Sequence, residues 1–244
     1  MIGCGCYMDK IMIFKEMVEE YNNIVFFGGA GVSTESGIPD FRSRDGLYNQ
    51  HYKFPPETIL SHSFFLHNTE AFFDFYRDKM NSLMFEPNVT HVKLAELERM
   101  GKLKAVITQN IDGLHQKAGS KMVYELHGSV LRNYCMRCGK FYSAEYVFNG
   151  LGIPKCSCGG IIKPDVVLYE EGLDEKVLKE SVLAIRNADL LIVAGTSLTV
   201  QPASSLITYF SGRKLVLINR DSTQYDGMAD LVINDTLGKV FREI

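Results

Sequence analysis

The stretch "FFGGAGVSTESGIPDFRSRDGLY", Phe26 to Tyr48, decides how this chain is read. Gly29-Ala30-Gly31 supplies the first two glycines of a G-x-G-x-x-G dinucleotide fingerprint, but Thr34 stands where the third belongs. A tight glycine turn between a strand and a helix aims backbone N–H groups and the helix N-terminus at a pyrophosphate. A glycine-rich turn that binds nothing is the plain alternative. Hydride-transferring enzymes also place an acid about 20 residues further on, for the adenosine ribose. Here that region reads Tyr48-Asn49-Gln50-His51, with no acid, which argues against a plain dehydrogenase.

Outward from the loop, two periodicities alternate. Upstream, Ile11, Phe14, Val18 and Tyr21 recur at helical spacing, which predicts an amphipathic helix from Lys10 to Tyr21. Residues 23–27 then read as a short buried strand. Further β-rich runs follow at LKAVIT (103–108), MVYEL (122–126), DVVLY (165–169), DLLIVAG (189–195), KLVLIN (214–219) and DLVIN (230–234). Helical patterns lie between several of them, at 91–100, 174–187 and 202–210. Apolar strands alternating with helices predict an α/β fold, a Rossmann-like doubly wound parallel sheet covered on both faces. Two segments break the rhythm. Residues 51–87 hold Pro55-Pro56 and the aromatic run TEAFFDFYRDKMNSL, and residues 131–163 carry cysteines and glycines without helical period. They are expected to form a smaller inserted module.

At 244 residues the chain suits one large domain with such an insertion. A domain over 8–244 is expected, with its core at about 8–50, 88–130 and 164–244 and a loose extension at 1–7. A formal charge of −3 offers no basic face for nucleic acid. No apolar run approaches the roughly 18–20 residues that span a bilayer. The opening MIGCGCYMDK has neither the basic nor the apolar region of a secretory signal. A cytoplasmic monomer without nucleic-acid or membrane partners is the expectation.

Ligands of doubly wound sheets bind at the carboxyl ends of the strands, where GGAG, TQNIDG, ELHG, AGTS and INRD all fall. Gln109, Asn110 and Asp112 leave one such end together. Asp112 alone would suit a helix N-cap, but three polar side chains opposite the glycine loop favour a site. His127 ends another strand, and histidine is the natural general base at neutral pH. The other histidines lack comparable context. Thr196-Ser197 and Asn219 follow two further apolar strands, either as loop punctuation or as cofactor contacts. An amide at Asn219 would suit the ribose that the missing early acid leaves unclaimed.

Cys135-x-x-Cys138 and Cys156-x-Cys158 stand 17 residues apart, with glycines at 139, 159 and 160. Four thiolates from two knuckles suit one tetrahedral structural Zn²⁺ with no open coordination position, hence a Cys₄ zinc ribbon. A redox dithiol is the less favoured alternative. Cys4 and Cys6 lie outside this unit and receive no role.

With these pieces in place, the chain resembles the sirtuins, NAD-dependent protein-lysine deacylases, of the bacterial or archaeal type. The likeness runs from about residue 10 to the C-terminus, on GAGVSTESGIPDFRSRDGLY, TQNIDGLH, LHGS, the Cys₄ module, KPDVVLYEE, GTSLTVQP and INRD in family order. It implies that Ala30, Gly31, Thr34, Phe41 and Arg42 contact NAD on a mobile lid. It places Gln109 on a ribose, and Asn110, Ile111 and Asp112 in the nicotinamide pocket. His127 becomes the catalytic base, Thr196, Ser197 and Asn219 adenosine contacts, and Leu237 a last adenine contact. Val166, Val167, Leu168 and Tyr169 would pair with an acetylated protein substrate by strand addition.

The resemblance further implies that NAD is consumed as an electrophile. The acetyl-lysine carbonyl oxygen would attack the anomeric carbon of the nicotinamide ribose, and a ribose hydroxyl would then attack with His127 taking its proton. The products would be lysine, nicotinamide and 2′-O-acetyl-ADP-ribose. Family members specialised for succinyl or malonyl groups carry Tyr-x-x-Arg in the aromatic helix. This chain has Tyr76-Arg77-Asp78-Lys79, and lysine matches a carboxylate less well than the bidentate arginine fork. Deacetylation is therefore expected over desuccinylation.

Overall fold

The computed structural model describes residues 3–40 and 54–244, with the backbone alone for 3–7. The first helix, α1, is Gly3–Glu20, so the extension expected to be loose is helical from Gly3 onward. It buries Ile11, Phe14 and Val18, as their spacing predicts, and runs into the fully buried strand β1 (Ile24–Gly28). The chain continues through α2 (Pro56–Ile59), α3 (His62–His67), α4 (Thr69–Lys79) and α5 (Val89–Arg99). Next come β2 (Leu103–Thr108), α6 (Leu114–Ala118), β3 (Val123–Glu125), β4 (Gly128–Cys135), β5 (Phe141–Ser143), α7 (Ala144–Phe148) and β6 (Ile162–Val166). The last part holds α8 (Glu175–Asn187), β7 (Leu190–Ala194), β8 (Lys214–Ile218), β9 (Leu231–Ile233) and α9 (Leu237–Phe241).

Six strands form one sheet in the order β3-β2-β1-β7-β8-β9, every neighbour parallel. Both central strands, β1 and β7, are buried along their whole length, as parallel strands between two helical layers must be. On one face Phe26 packs edge-on to Phe241 at 6.0 Å, and Phe241 in turn meets Phe14 of α1 at 6.0 Å. Phe27, one residue along, points to the opposite face, where Ile185 of α8 and Leu206 cover it. The strand order reverses between β1 and β7, which opens a crevice at their carboxyl ends.

The second unit has its own core. Phe65, Phe72, Phe73 and Tyr76 of α3 and α4 are fully buried, and Tyr76 stacks on Phe148 of α7 at 5.3 Å. A three-stranded antiparallel sheet, β5-β4-β6, completes it. Three expectations change here. The run expected as a strand over 165–169 is β6, which ends at Val166 and pairs with β4 outside the parallel sheet. Residues 203–209 form a 3-10 helix in place of an α-helix. No α-helix opens the glycine loop among the described residues; two 3-10 turns, at 30–32 and 34–36, stand there.

The two units meet where the chain passes from β3 to β4 through His127. Arg132 of β4 clamps that junction, reaching Glu125 of β3 and Asp165 of β6 at 2.7 Å each. Residue 127 therefore sits at the seam between the parallel sheet and the small module, held from both sides.

Candidate active site

The loops that leave β1 and β7 touch through their backbones. Gly31 N–H donates to the Gly195 carbonyl at 2.8 Å. A Cβ on Gly31 would lie 2.7 Å from Gly195 Cα, and one on Gly195, itself at φ +61°, 2.6 Å from Val32 N. Only glycine at both positions permits this approach. The Gly31 carbonyl is also engaged, accepting from Thr34 Oγ1 at 3.0 Å. Val32 N–H and Ser33 N–H close back on the carbonyls of Gly29 and Ala30. The expected phosphate cradle is thus a loop largely bonded to itself and to β7, and Thr34 in place of a third glycine is one of its fasteners.

The loop after β2 faces it. Ser33 Oγ, buried, donates to Asp112 Oδ2 at 2.7 Å and accepts from Asn110 Nδ2 at 3.1 Å. Asp112 Oδ1 takes Leu114 N–H at 2.9 Å, so the carboxylate both opens α6 and lines the cleft. Burial raises its pKa from the ordinary aspartate value, against the Ser33 and Leu114 hydrogen bonds. Asn110 is buried beside it, and Ile111 packs on the apolar core of the small module.

His127 presents a defined tautomer. Its Nδ1 lies 2.9 Å from the Gln109 carbonyl, which can only accept, so Nδ1 carries the proton and Nε2 keeps its lone pair. Burial lowers the imidazole pKa, against the opposing Gln109 hydrogen bond. Gln109 Nε2 donates to Thr196 Oγ1 at 3.0 Å, and Thr196 N–H donates to Asn219 Oδ1 at 2.9 Å. The chain of contacts thus joins the ends of β2, β7 and β8. Ser197 is exposed and shares a hydrogen bond with Thr199. Leu237 opens α9, buried, close to Gly195.

A cleft of about 1210 Å³ runs along these ends. It is lined by Ala30, Gly31, Thr34, Gln109, Asn110, Ile111, Asp112, His127, Thr196, Ser197, Asn219 and Leu237, and by Val166 to Tyr169 at its other lip. Phe41 and Arg42 lie outside the described residues, as does most of the expected lid. Asn219 Nδ2 is buried with no hydrogen-bond partner among the described residues, a donor suited to the hydroxyl or ether oxygens of a ribose. The cleft therefore fits a dinucleotide beside a peptide side chain.

The stretch expected to receive a peptide is already partly bonded. Val167 N–H goes to the His127 carbonyl, Leu168 N–H to Glu171 Oε2 and Tyr169 N–H to the Leu60 carbonyl. Among the described residues no hydrogen bond reaches the Val167 carbonyl, and Val167 is half-buried on the cleft side. Two residues that sequence reading passed over complete the site: Ser33, bonded to both Asn110 and Asp112, and Glu35, whose Oε1 accepts Gly238 N–H at 2.7 Å. Both lie within VSTES of the opening stretch, but only the fold reveals partners 77 and 203 residues away.

The four cysteine sulfurs lie within 4.8 Å of one another. Cys135–Cys158 and Cys138–Cys158 are 3.5 Å apart and Cys138–Cys156 3.6 Å. That is far beyond a disulfide and close to the edge of about 3.8 Å that a tetrahedron with Zn–S of about 2.3 Å requires. Arg137 N–H points at Cys135 Sγ and Cys158 N–H at Cys156 Sγ; the latter leads the interactions that favour the Cys156 thiolate. A Cβ on Gly160 would come within 2.7 Å of Cys135 Sγ, so glycine is required for the knuckles to close. This donor set fits a structural zinc.

The family model described as "Sir2 family" matches residues 29–202. The chain belongs to the Sir2 family. An NAD-dependent protein deacetylase of Clostridium acetobutylicum is 60% identical over 97% of this chain and 98% of its own length. One of Clostridium perfringens is 59% identical, also over 97% of this chain and 98% of its own. Among solved structures, a Sir2 with inhibitor EX-527, 2′-O-acetyl-ADP-ribose and deacetylated p53 peptide superposes with a TM-score of 0.83 at 40% identity. That alignment covers 95% of this chain and 96% of the other. A Sir2 bound to an acetylated peptide gives 0.85 at 38%, covering 95% of each.

Two outcomes follow from this geometry. Gly31→Ala should cost about 1–3 kcal/mol of stability by overpacking, read from the urea midpoint, and should raise the KM for a dinucleotide. Purified protein should contain about one zinc per chain by mass spectrometry. Stripping it with a chelator should lower the Tm, since metal binding to such ribbons is part of their folding free energy.

Proposed function

We infer that this chain is an NAD-dependent protein-lysine deacetylase, with acetylated proteins and NAD as its substrates. The observation that carries the reading is His127, its Nδ1 held by the Gln109 carbonyl so that Nε2 is the basic nitrogen, in a cleft that Asn110, Asp112 and Asn219 also line. NAD supplies an electrophilic ribose carbon, which the acetyl carbonyl oxygen attacks as nicotinamide leaves. Asn110 and Asp112, fixed by Ser33, form the polar wall for the nicotinamide end. Gln109, Thr196 and Asn219 hold the adenosine side in register. His127 Nε2 takes the proton of the ribose hydroxyl as it attacks the imidate carbon formed in that first step, and the Gln109 carbonyl steadies the imidazolium through Nδ1–H. One water then adds at that carbon and the lysine amine leaves with a proton, so that NAD, acetyl-lysine and water become nicotinamide, lysine and O-acetyl-ADP-ribose. The Cys135, Cys138, Cys156 and Cys158 zinc folds the ribbon and takes no part in the chemistry.

The same reading takes 8–244 as one catalytic domain, acting as a monomer in the cytoplasm. No helix among the described residues is long and apolar enough to cross a membrane.

Acyl choice rests on the floor of the cleft. Tyr76 and Lys79 both line it, one turn apart on α4, and Lys79 lies 3.0 Å from Asp78. A lysine already beside a carboxylate is poorly placed to grip a second one on the acyl group.

Mass spectrometry of enzyme, NAD and an acetyl-peptide should show loss of acetyl with release of nicotinamide and O-acetyl-ADP-ribose. A peptide that gains ADP-ribose and keeps its acetyl would instead mark an ADP-ribosyltransferase. His127→Ala should lower kcat by about 10²–10⁴-fold, the usual range for a general base. The base works unprotonated and its pKa is depressed by burial. Activity should therefore fall only as pH drops through that folded-state value, placing the acidic limb of kcat/KM below the ordinary histidine value of about 6.5. In a side-by-side assay, acetyl-peptide turnover should exceed succinyl-peptide turnover, and the reverse ranking would refute the assignment drawn from Lys79.

A further inference from the structure

Directly after β6 the chain makes a tight turn, Leu168 to Glu171, closed by Glu171 N–H on the Leu168 carbonyl at 3.0 Å. Its third residue, Glu170, has φ +75°, a left-handed conformation that turns of this kind usually assign to glycine. Two carboxylates hold the turn in place. Glu170 accepts Ser63 N–H and Ser63 Oγ–H at 2.9 Å each. Glu171 Oε1 lies 2.7 Å from His62 Nδ1, while Oε2 accepts Leu168 N–H at 2.8 Å and Lys163 Nζ at 3.1 Å.

Glu171 thus ties three parts of the small module together: the start of α3, strand β6 and the stretch on the cleft lip. Main-chain bonds run alongside, from Tyr169 N–H to the Leu60 carbonyl and from His62 N–H to the Tyr169 carbonyl. Burial pushes the Glu171 carboxyl pKa upward, but Leu168 N–H, His62 and Lys163 outweigh it and hold the group below its ordinary value. The carboxylate is therefore ionised at neutral pH. None of its partners belongs to the loops that follow β1, β2, β7 or β8.

We propose that Glu171 is a positioning residue for the substrate peptide. It fixes the direction in which Val167, half-buried on the cleft lip, meets the incoming acetyl-lysine strand. The inference rests on the reading above that Val166–Tyr169 is the peptide subsite. Removing the carboxylate leaves Leu168 N–H without its acceptor and Lys163 and His62 without their partner. The peptide must then order the turn as it binds, a cost that appears in its affinity. The dinucleotide meets other elements and is spared.

The test compares wild type, Glu171→Gln and Glu171→Ala, with NAD and an acetyl-lysine peptide varied separately. Binding of a dye-labelled acetyl-peptide is followed by fluorescence anisotropy, and Tm is recorded for each protein. In Glu171→Ala the peptide KM and Kd should rise about tenfold, equivalent to about 1.4 kcal/mol. The NAD KM and the kcat at saturating peptide should stay within about twofold, the pattern of lost uniform binding. Glu171→Gln should fall between, since its amide oxygen still accepts Leu168 N–H; being isosteric, it carries the test if the alanine variant does not fold. An unchanged peptide KM, or a NAD KM that rises in step with it, overturns the proposal. A wild-type protein that removes no acetyl group would overturn the proposed function instead, whereas an active wild type with unselective Glu171 variants overturns only this inference.

Discussion

Everything at the cleft depends on how closely the loops after β1 and β7 approach. Parallel neighbours in the sheet bring Gly28 opposite Ala194, and the chain must leave both strands at the same height. Gly31 and Gly195 then meet backbone to backbone, at distances where neither tolerates a methyl group. Had the loops been held apart by side chains, Ser33 would not reach Asn110 and Asp112, and Thr196 would not reach Gln109. Steric smallness at two positions is what allows the hydrogen bonds elsewhere.

From that contact, the polar side chains organise one another. Ser33 joins the first loop to the second, Gln109 joins the second to the loop after β7, and Asn219 carries the chain of bonds to β8. Each bond is modest on its own. Their value lies in orientation: Asp112 is held as a wall, and the His127 tautomer is set by a carbonyl that can only accept. Polar groups fixed this way need not reorganise when a ligand enters the cleft.

The small module acts on the same cleft from the far side. Its aromatic core and its cysteine cluster are separate from the parallel sheet, yet β4 begins directly after His127 and ends at Cys135. Folding of the cysteine ribbon, the Arg132 clamp and the placement of His127 are thus mechanically linked. The same module presents the Val166–Tyr169 lip of the cleft, anchored on α3 and β6, so the cleft is walled by both units.

Much of this could be read from residue order. Apolar runs at 103–108, 189–195 and 214–219 became the strands they announced, because strands buried on both faces leave a continuous apolar signature. The Cys₄ cluster followed from knuckle spacing, which is a local geometric requirement. That His127, Asn110 and Asp112 would line a cleft was legible because ligand crevices of such sheets open at the strand ends. What residue order alone could not decide was partnership. The glycines that resemble a phosphate cradle also let two loops touch, Thr34 fastens a carbonyl, and the 165–169 run splits between a small antiparallel sheet and an anchored turn. These outcomes are set by distance in space between residues far apart in the chain. Local pattern determined the elements and their chemistry; tertiary packing decided which groups were left facing the cleft.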